Sequence, residues 1–402
     1  MNTKILPVSH DVSWIGVLDK DIRTFDIVME TQYGTTYNSY FINAEKPTVV
    51  EVVKEKFFDE FEAKLRTLCN PEDLAYIIFN HTEPDHTSGL QKLLKIAPNA
   101  KVLASTAGLR FLKDQLGHEF ESQVISEKDE IDLGNKTIKV ISAPNLHWPD
   151  SIFTYLTEDK ILFTCDCFGA HFAHDAMYND QVGDYTDALK YYFDVILKPF
   201  SKFFIQAIEK IRPLDIQAIC TGHGPILTVN WKKIVDLSEA WCHDYLQNYP
   251  QKNRIFMPYV SAYGFTKTLA EQIAAGIREV SEVELDLCDI EKMDLNELSE
   301  KFAKANAYIF GSPTINQNML PQLYHCFTVI SPIRDKDKLA SCFGSYGWSG
   351  EAEKILIANI QTSKLDFMEE SLFIKFRPCE DDFERFKAFG KKFALLLASK
   401  IK

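Results

Sequence analysis

Residues 80–90 read NHTEPDHTSGL, which sets His81, Glu83, Asp85 and His86 within six positions, directly after an apolar run. A lone histidine is more often a core or surface residue than a ligand. Four imidazole and carboxylate donors crowded together repel one another or stay underused unless a cation joins them. Three more candidates follow in turn-like settings: His147 in APNLHWPDS, Asp166 in FTCDCFG and His223 in CTGHGP, separated by 60, 18 and 56 intervening residues counting from His86. Two divalent ions carry four positive charges; the carboxylates of Glu83, Asp85 and Asp166 leave one, which a single hydroxide neutralises. Anionic oxygen beside imidazole shifts the preference from zinc towards iron or manganese, although affinity order alone favours zinc. Redox-active iron is therefore the expected metal. Cys165 and Cys167 flank Asp166, but strand alternation points both away from its side, and they are expected to be small buried apolar residues. His171 and His174 follow in GAHFAHDA, where a structural or surface role is the simpler reading and a place beside the metal site the other.

A second constellation lies nearer the carboxyl terminus. After the apolar run RIFMPYV comes Ser261-Ala-Tyr-Gly-Phe-Thr266 and then a helical pattern, a turn whose backbone N–H groups and helix dipole suit a phosphate. Alone this is a weak signal. Gly311-Ser-Pro-Thr-Ile-Asn316 and Phe343-Gly-Ser-Tyr-Gly-Trp-Ser-Gly350 each follow a further strand, at the carboxyl ends where open α/β sheets bind ligands. Tyr346 and Trp348, set between glycines, suit the border of a flat ring system, and the absence of GxGxxG from the first turn favours FMN over NAD.

The elements that must position these residues alternate. Short β-branched or aromatic runs (Thr36–Ile42, Thr48–Glu51, Leu74–Phe79, Lys101–Ala104, Lys136–Ser142, Ile152–Tyr155, Ile161–Cys165, Ile216–Thr221) are interleaved with helical stretches, a mixed α/β layout. The polar YPQKNR around residues 249–254 marks a boundary, giving domains 1–250 and 251–402. Beyond it, five strands (Ile255–Val260, Val283–Cys288, Ala307–Phe310, Lys338–Phe343, Leu372–Phe376), each followed by a helix, predict a parallel doubly wound sheet. The 402 residues are 46% hydrophobic and 25% charged, which fits a soluble globular protein of two or three domains. The net charge is −13, of which about −11 falls in residues 1–253, so nucleic-acid binding is not expected. No apolar run is long enough for a membrane helix, the N-terminus does not read as a secretory signal, and nine cysteines without a CxxC pair exclude a zinc ribbon or rubredoxin module. A cytoplasmic location is expected.

The whole pattern resembles the metallo-β-lactamase superfamily and, most closely, the flavodiiron (A-type flavoprotein) family, whose signature is His-x-Glu-x-Asp-His followed by His, Asp and His. Hydrolytic members of the superfamily usually carry His where this chain has Glu83. The resemblance extends over essentially the whole chain and implies an N-terminal metallo-β-lactamase-like αβ/βα sandwich followed by a flavodoxin-like doubly wound parallel sheet. It implies that His81, Glu83 and His147 hold one iron, that Asp85 and His223 hold the other, and that Asp166 bridges them; the position of His86 is either a ligand or displaced by solvent. It implies an FMN site in which Ser261, Tyr263, Gly264, Phe265 and Thr266 cradle the phosphate, while Pro313, Thr314, Asn316, Ser345, Tyr346, Gly347 and Trp348 surround the isoalloxazine. The implied activity is reduction of O2 to water and of NO to N2O. Electrons come from an external donor (rubredoxin, a reductase or a reduced deazaflavin such as F420), in a head-to-tail homodimer or a dimer of dimers. The choice between the gases is expected to depend on His171, Trp148 and Tyr263. The competing readings are a dizinc hydrolase with a regulatory flavodoxin domain, against which Glu83 argues, and an electron carrier with an inactive metal site.

Overall fold

The computed structural model describes residues 3–27, 29–248 and 253–400. It divides into two compact units, Met1–Tyr245 and Leu246–Lys402; the junction expected at 250/251 lies outside the described residues.

In the first unit two sheets face each other. The seven-stranded sheet runs in the order Leu6–Pro7, Val12–Trp14, Tyr40–Ile42, Thr48–Val50, Tyr76–Ile78, Lys101–Ala104, Ser122–Val124, antiparallel as far as Thr48–Val50 and parallel beyond it. The five-stranded sheet runs Glu130–Asp132, Thr137–Ser142, Ile152–Leu156, Ile161–Cys165, Ala218–Thr221, with only the last pair parallel. Strand alternation decides the layers. Val50, Ile78, Leu103, Ile138, Ile161 and Phe163 fill the space between the sheets. Their neighbours Val49, Ile77 and Val102 instead meet helices Phe58–Leu68, Leu90–Ile96 and Thr106–Leu116, while Phe153, Leu162 and Ile219 meet Thr186–Tyr192, Ser201–Ile211 and Trp231–Gln247. The result is an αβ/βα sandwich.

The run expected as one strand over Thr36–Ile42 is two, Thr35–Tyr37 and Tyr40–Ile42. Asn38 makes the break: its buried amide donates to the Thr221 and Gly224 carbonyls and accepts from the Trp14 indole, so backbone pairing yields to side-chain bonding. Thr35–Tyr37 then pairs with Val17–Asp19 outside the large sheets.

The second unit has a parallel sheet in the order Val283–Asp289, Asn253–Tyr259, Ala307–Gly311, Leu339–Tyr346, a doubly wound order with its switch point between the unit's first and third strands, Asn253–Tyr259 and Ala307–Gly311. The fifth position is filled by two pieces, Asp366–Phe367 and Leu372–Lys375, both paired to Leu339–Tyr346. Helices Phe265–Ile277 and Glu380–Lys400 cover one face, and Leu295–Lys304, Pro321–Val329 and Glu351–Thr362 the other. The first pair cross at two glycines: a Cβ on Gly276 would run into the Lys387 carbonyl, and one on Gly390 into the Ile273 carbonyl. Because backbone cannot give way as a side-chain tip can, Gly390→Ala is expected to cost about 1–3 kcal/mol by overpacking. Denaturant unfolding followed by near-UV circular dichroism would show it, and an unchanged midpoint would contradict the close crossing.

No helix among the described residues is long and apolar enough to cross a membrane.

Candidate functional site

All seven expected metal ligands leave the carboxyl ends of strands in the first unit, and the structure brings them together. His81, Glu83, Asp85 and His86 follow Tyr76–Ile78 in the seven-stranded sheet. His147, Asp166 and His223 follow Thr137–Ser142, Ile161–Cys165 and Ala218–Thr221 in the other. Pro84 opens the single turn Pro84–Thr87, which seats Asp85 and His86 side by side.

Two groups form around Asp166. On one side His81, Glu83, His147 and Asp166 converge: His147 Nε2 lies 3.0 Å from Asp166 Oδ2 and 3.1 Å from Glu83 Oε2, and His81 Nε2 lies 3.6 and 3.3 Å from the same atoms. On the other side His86 Nε2 is 3.1 Å from Asp166 Oδ1 and 3.5 Å from Asp85 Oδ2, and His223 Nε2 is 3.1 Å from Asp85 Oδ2 and 3.6 Å from Asp166 Oδ1. Donors at about 2.0–2.2 Å from one ion stand about 3.0–3.5 Å apart at octahedral or tetrahedral angles. The spacings fit one cation per group, with one Asp166 oxygen turned to each. His86 is as well placed as any other member. Asp85 is buried, yet neither of its carboxylate oxygens has hydrogen-bonding geometry to a donor, a loss that a bound cation removes.

The electrostatics run the same way. Burial opposes charge on His86, but Asp85 and Asp166 outweigh it and raise the imidazole to about 9. Burial likewise opposes charge on His81 and His147, and is outweighed by Asp150 and Glu83 in the first case and by Asp166 and Glu83 in the second. Asp85 and Asp166 are driven below the usual carboxylate range against the cost of burial, Asp85 chiefly by His86 and His223, Asp166 chiefly by His147 and His86. The cluster is a set of anions awaiting positive charge, supplied by protons when no metal is bound.

Groups that the sequence does not single out stand behind the ring nitrogens. The Thr36 carbonyl accepts from His223 Nδ1 at 2.5 Å. Asp150 Oδ1 lies 3.7 Å from His81 Nδ1, with Ser151 Oγ at 3.5 Å. Glu51 is buried behind His86, its carboxyl pushed by burial up to about 7. Position at a strand's carboxyl end, shared with the ligands, was the one signal that could have found Glu51.

Cys167 is buried, and burial pushes its thiol up, in keeping with an apolar role. Cys165 departs from the expected orientation: its Sγ comes within 3.9 Å of Asp166 Oδ1. The strand ends there, at φ 47°, so alternation no longer governs the side chain. His171 is buried rather than at the surface. Its ring centroid is 5.3 Å from that of His223 and 4.4 Å from that of Phe25, its Nδ1 is 2.9 Å from Thr35 Oγ1, and burial, helped by His223, pushes it down to about 3. His174 is exposed. The Trp148 ring packs edge-on against His81 at 5.3 Å.

In the second unit, Tyr263, Phe265, Pro313, Thr314, Asn316, Ser345, Tyr346, Gly347 and Trp348 line one cavity, together with Ile315, Gln317, Ser349 and Phe376. Trp348 and Tyr263 are 85% and 83% exposed, so they border the cavity rather than close it. Phe376 was missed, although it too follows the carboxyl end of a strand. Ser261, Gly264 and Thr266 are not among the lining residues: Ser261 Oγ accepts from the Lys267 N–H, Gly264 turns the chain into helix Phe265–Ile277 at φ 84°, and Thr266 Oγ1 is bonded to Ser345 Oγ. The lining contains no charged side chain, so an anionic group there would be met by hydroxyls and backbone N–H groups.

Residues 35–224 match the ODP family beta lactamase model, and residues 258–389 match the flavodoxin model. The chain is 37% identical to the flavo-diiron protein FprA2 of Clostridium acetobutylicum, over 97% of this chain and 98% of that one. It is 33% identical to the anaerobic nitric oxide reductase flavorubredoxin of Salmonella arizonae, over 96% of this chain and 81% of that one. Among solved structures, the rubredoxin oxygen:oxidoreductase of the anaerobe Desulfovibrio gigas superposes with a TM-score of 0.69 at 25% identity, covering 99% of this chain and 100% of that one. A β-lactamase-type sandwich with a dinuclear ligand set, joined to a flavodoxin-type sheet, defines a class of two-centre oxidoreductases. The chain belongs to the flavodiiron protein family.

Proposed function

We propose that this chain is a flavodiiron reductase that takes electrons through FMN and uses two iron ions to reduce O2 to water and NO to N2O. His81, Glu83 and His147 would hold one ion, Asp85, His86 and His223 the other, with Asp166 shared between the two. The observation that carries this reading is the division of Asp166, with Oδ2 turned to one donor group and Oδ1 to the other. FMN would be held in the cavity lined by Tyr263, Phe265, Thr314, Asn316, Tyr346 and Trp348. When bound, the iron pair supplies the redox-active metal on which a diatomic gas is reduced, and FMN supplies the electrons.

The protein's own part is to bind, orient and exclude water. Phe25, Tyr37 and Tyr192 pack around His223. His171 Nε2 and the hydroxyls of Tyr37 and Tyr192 are buried there without partners. His171, bonded at Nδ1 to Thr35 Oγ1, turns Nε2 into this space as a neutral polar group for a small polar ligand. The external donor is a rubredoxin, a reductase or a reduced deazaflavin such as F420, the chain acts as a head-to-tail homodimer, and it works in the cytoplasm.

The test is anaerobic loading of the purified protein with ferrous ion and FMN, followed by measurement of O2 and NO uptake with one saturating donor. Uptake of either gas with matching water or N2O formation is expected. Zinc as the bound metal, with ester or thioester hydrolysis and no gas uptake, would overturn the reading, as would reoxidation without stoichiometric product.

A further inference from the structure

We propose that Glu51 is a positioning residue that fixes the ring of His86 so that Nε2 is a permanent ligand of the second ion. The proposal rests on the dinuclear reading above and extends it to a residue outside the ligand set. Glu51 ends the strand Thr48–Val50 at φ 60°, in the left-handed region that a non-glycine residue seldom occupies. It is 2% exposed and firmly tied: its N–H donates to the Ile78 carbonyl, its carbonyl accepts from Ser39 Oγ, and Oε1 accepts from the Asn80 N–H at 2.7 Å. The next residue, Val52, donates its N–H to the His86 carbonyl at 3.1 Å. Glu51 is thus locked to both ends of the loop that carries four ligands.

Its second oxygen has no partner. Glu51 Oε2 and His86 Nδ1 are both buried and unbonded, and ligating atoms of Glu51, His86 and Cys165 lie within 4.8 Å of one another. A buried acceptor and a buried ring nitrogen left unbonded in one pocket are each costly alone and complementary together. For His86 Nε2, which faces Asp166 and Asp85, to bind a cation through its lone pair, the ring proton must sit on Nδ1, and an Nδ1–H needs an acceptor. The Thr36 carbonyl serves His223 in that way, and Asp150 Oδ1 stands 3.7 Å from His81 Nδ1; Glu51 is placed to serve His86. The open side of the ring is closed by Gly222, where a Cβ would stand 2.9 Å from His86 Cε1.

Glu51→Gln tests this with little change of shape. Gln still accepts from the Asn80 N–H, but its amide donates to Nδ1 and drives the proton to Nε2, the wrong tautomer for ligation. Metal-free protein would be titrated with Co2+, reading visible absorption and competition with a chelator. The wild type is expected to take up two ions; fewer than two would sink the dinuclear reading and the proposal with it. Glu51→Gln is expected to weaken the second ion by about 10–100-fold while the first is unchanged. On a His86→Ala background the same substitution is expected to add no further weakening, because the pair acts as one unit. Should Glu51→Gln fold poorly by circular dichroism, Glu51→Asp, which keeps the acceptor on a shorter arm, is expected to give an intermediate affinity for the second ion. Two ions bound by the variant with wild-type affinity, or an equal weakening with and without His86, would overturn the proposal.

Discussion

Asp166→Ala is expected to lose both metal ions together, with affinity for each falling by at least about 100-fold, the upper figure for losing even an indirect partner of a metal ligand. The reason is geometric. Glu83 and Asp85 each face one donor group, whereas the two oxygens of Asp166 are shared between groups, 3.0 Å from His147 Nε2 on one side and 3.1 Å from His86 Nε2 on the other. Glu83→Ala should therefore reduce the metal content by one ion, and Asp166→Ala by two, with gas reduction lost in the second case. Asp166→Asn keeps an oxygen ligand for one group and offers the other an amide, so it should retain one ion. Cys167→Ala, an apolar change at the next residue, should leave the content intact. Metal analysis after anaerobic loading and gel filtration distinguishes these outcomes, and two ions retained by Asp166→Ala would remove the bridging role.

The second large effect is on stability. Asp335 is fully buried, and its carboxylate accepts from Tyr308 OH at 3.0 Å, Lys338 Nζ at 2.8 Å, the Ser331 N–H at 2.8 Å and two Arg334 nitrogens at 2.8 and 2.6 Å. Burial pushes Lys338 down, so the carboxylate is what keeps that ammonium charged. Asp335→Asn is expected to cost about 3–5 kcal/mol, because it leaves buried cations without their counter-charge. Burial raises the Asp335 carboxyl, but Arg334 and Lys338 outweigh it and hold the group below its ordinary value. A carboxyl depressed on folding stabilises the protein above its unfolded pKa, about 3.9, and that contribution fades as pH falls through the folded value. The variant should thus unfold at lower denaturant at neutral pH and show a flatter acid limb. Urea midpoints followed by release of FMN fluorescence would measure both, and parallel pH profiles would contradict the assignment. Strands Ala307–Gly311 and Leu339–Tyr346 start near this network and end at the cavity proposed for FMN, so FMN retention should fall with stability.

The ligand set was legible because its chemistry is crowded into one loop and repeated at strand ends: His81 through His86 could hardly lie so close for packing alone. The parallel sheet of the second unit was legible too, since its central strands Asn253–Tyr259, Ala307–Gly311 and Leu339–Tyr346 carry apolar runs buried on both faces. The short N-terminal strands, such as Val12–Trp14 and Thr24–Phe25, were not, because two or three residues carry no period. Asn38 reads as an ordinary strand residue until its buried partners are seen. Glu51 and Asp150 were passed over for a related reason. A carboxylate that works through another side chain has no motif of its own, and for Glu51 only its place at a strand's carboxyl end hinted at the role that distance reveals. Cys165 shows the limit of alternation, which holds within a strand and fails at its last residue.

Each of the two facing sheets contributes an incomplete share of the ligands: four residues from the loop after Tyr76–Ile78, three from the ends of the opposing strands. Neither sheet could grip either cation unaided. Two ions held there would act as rivets across the sandwich, and their capture would report that its two halves have closed in register.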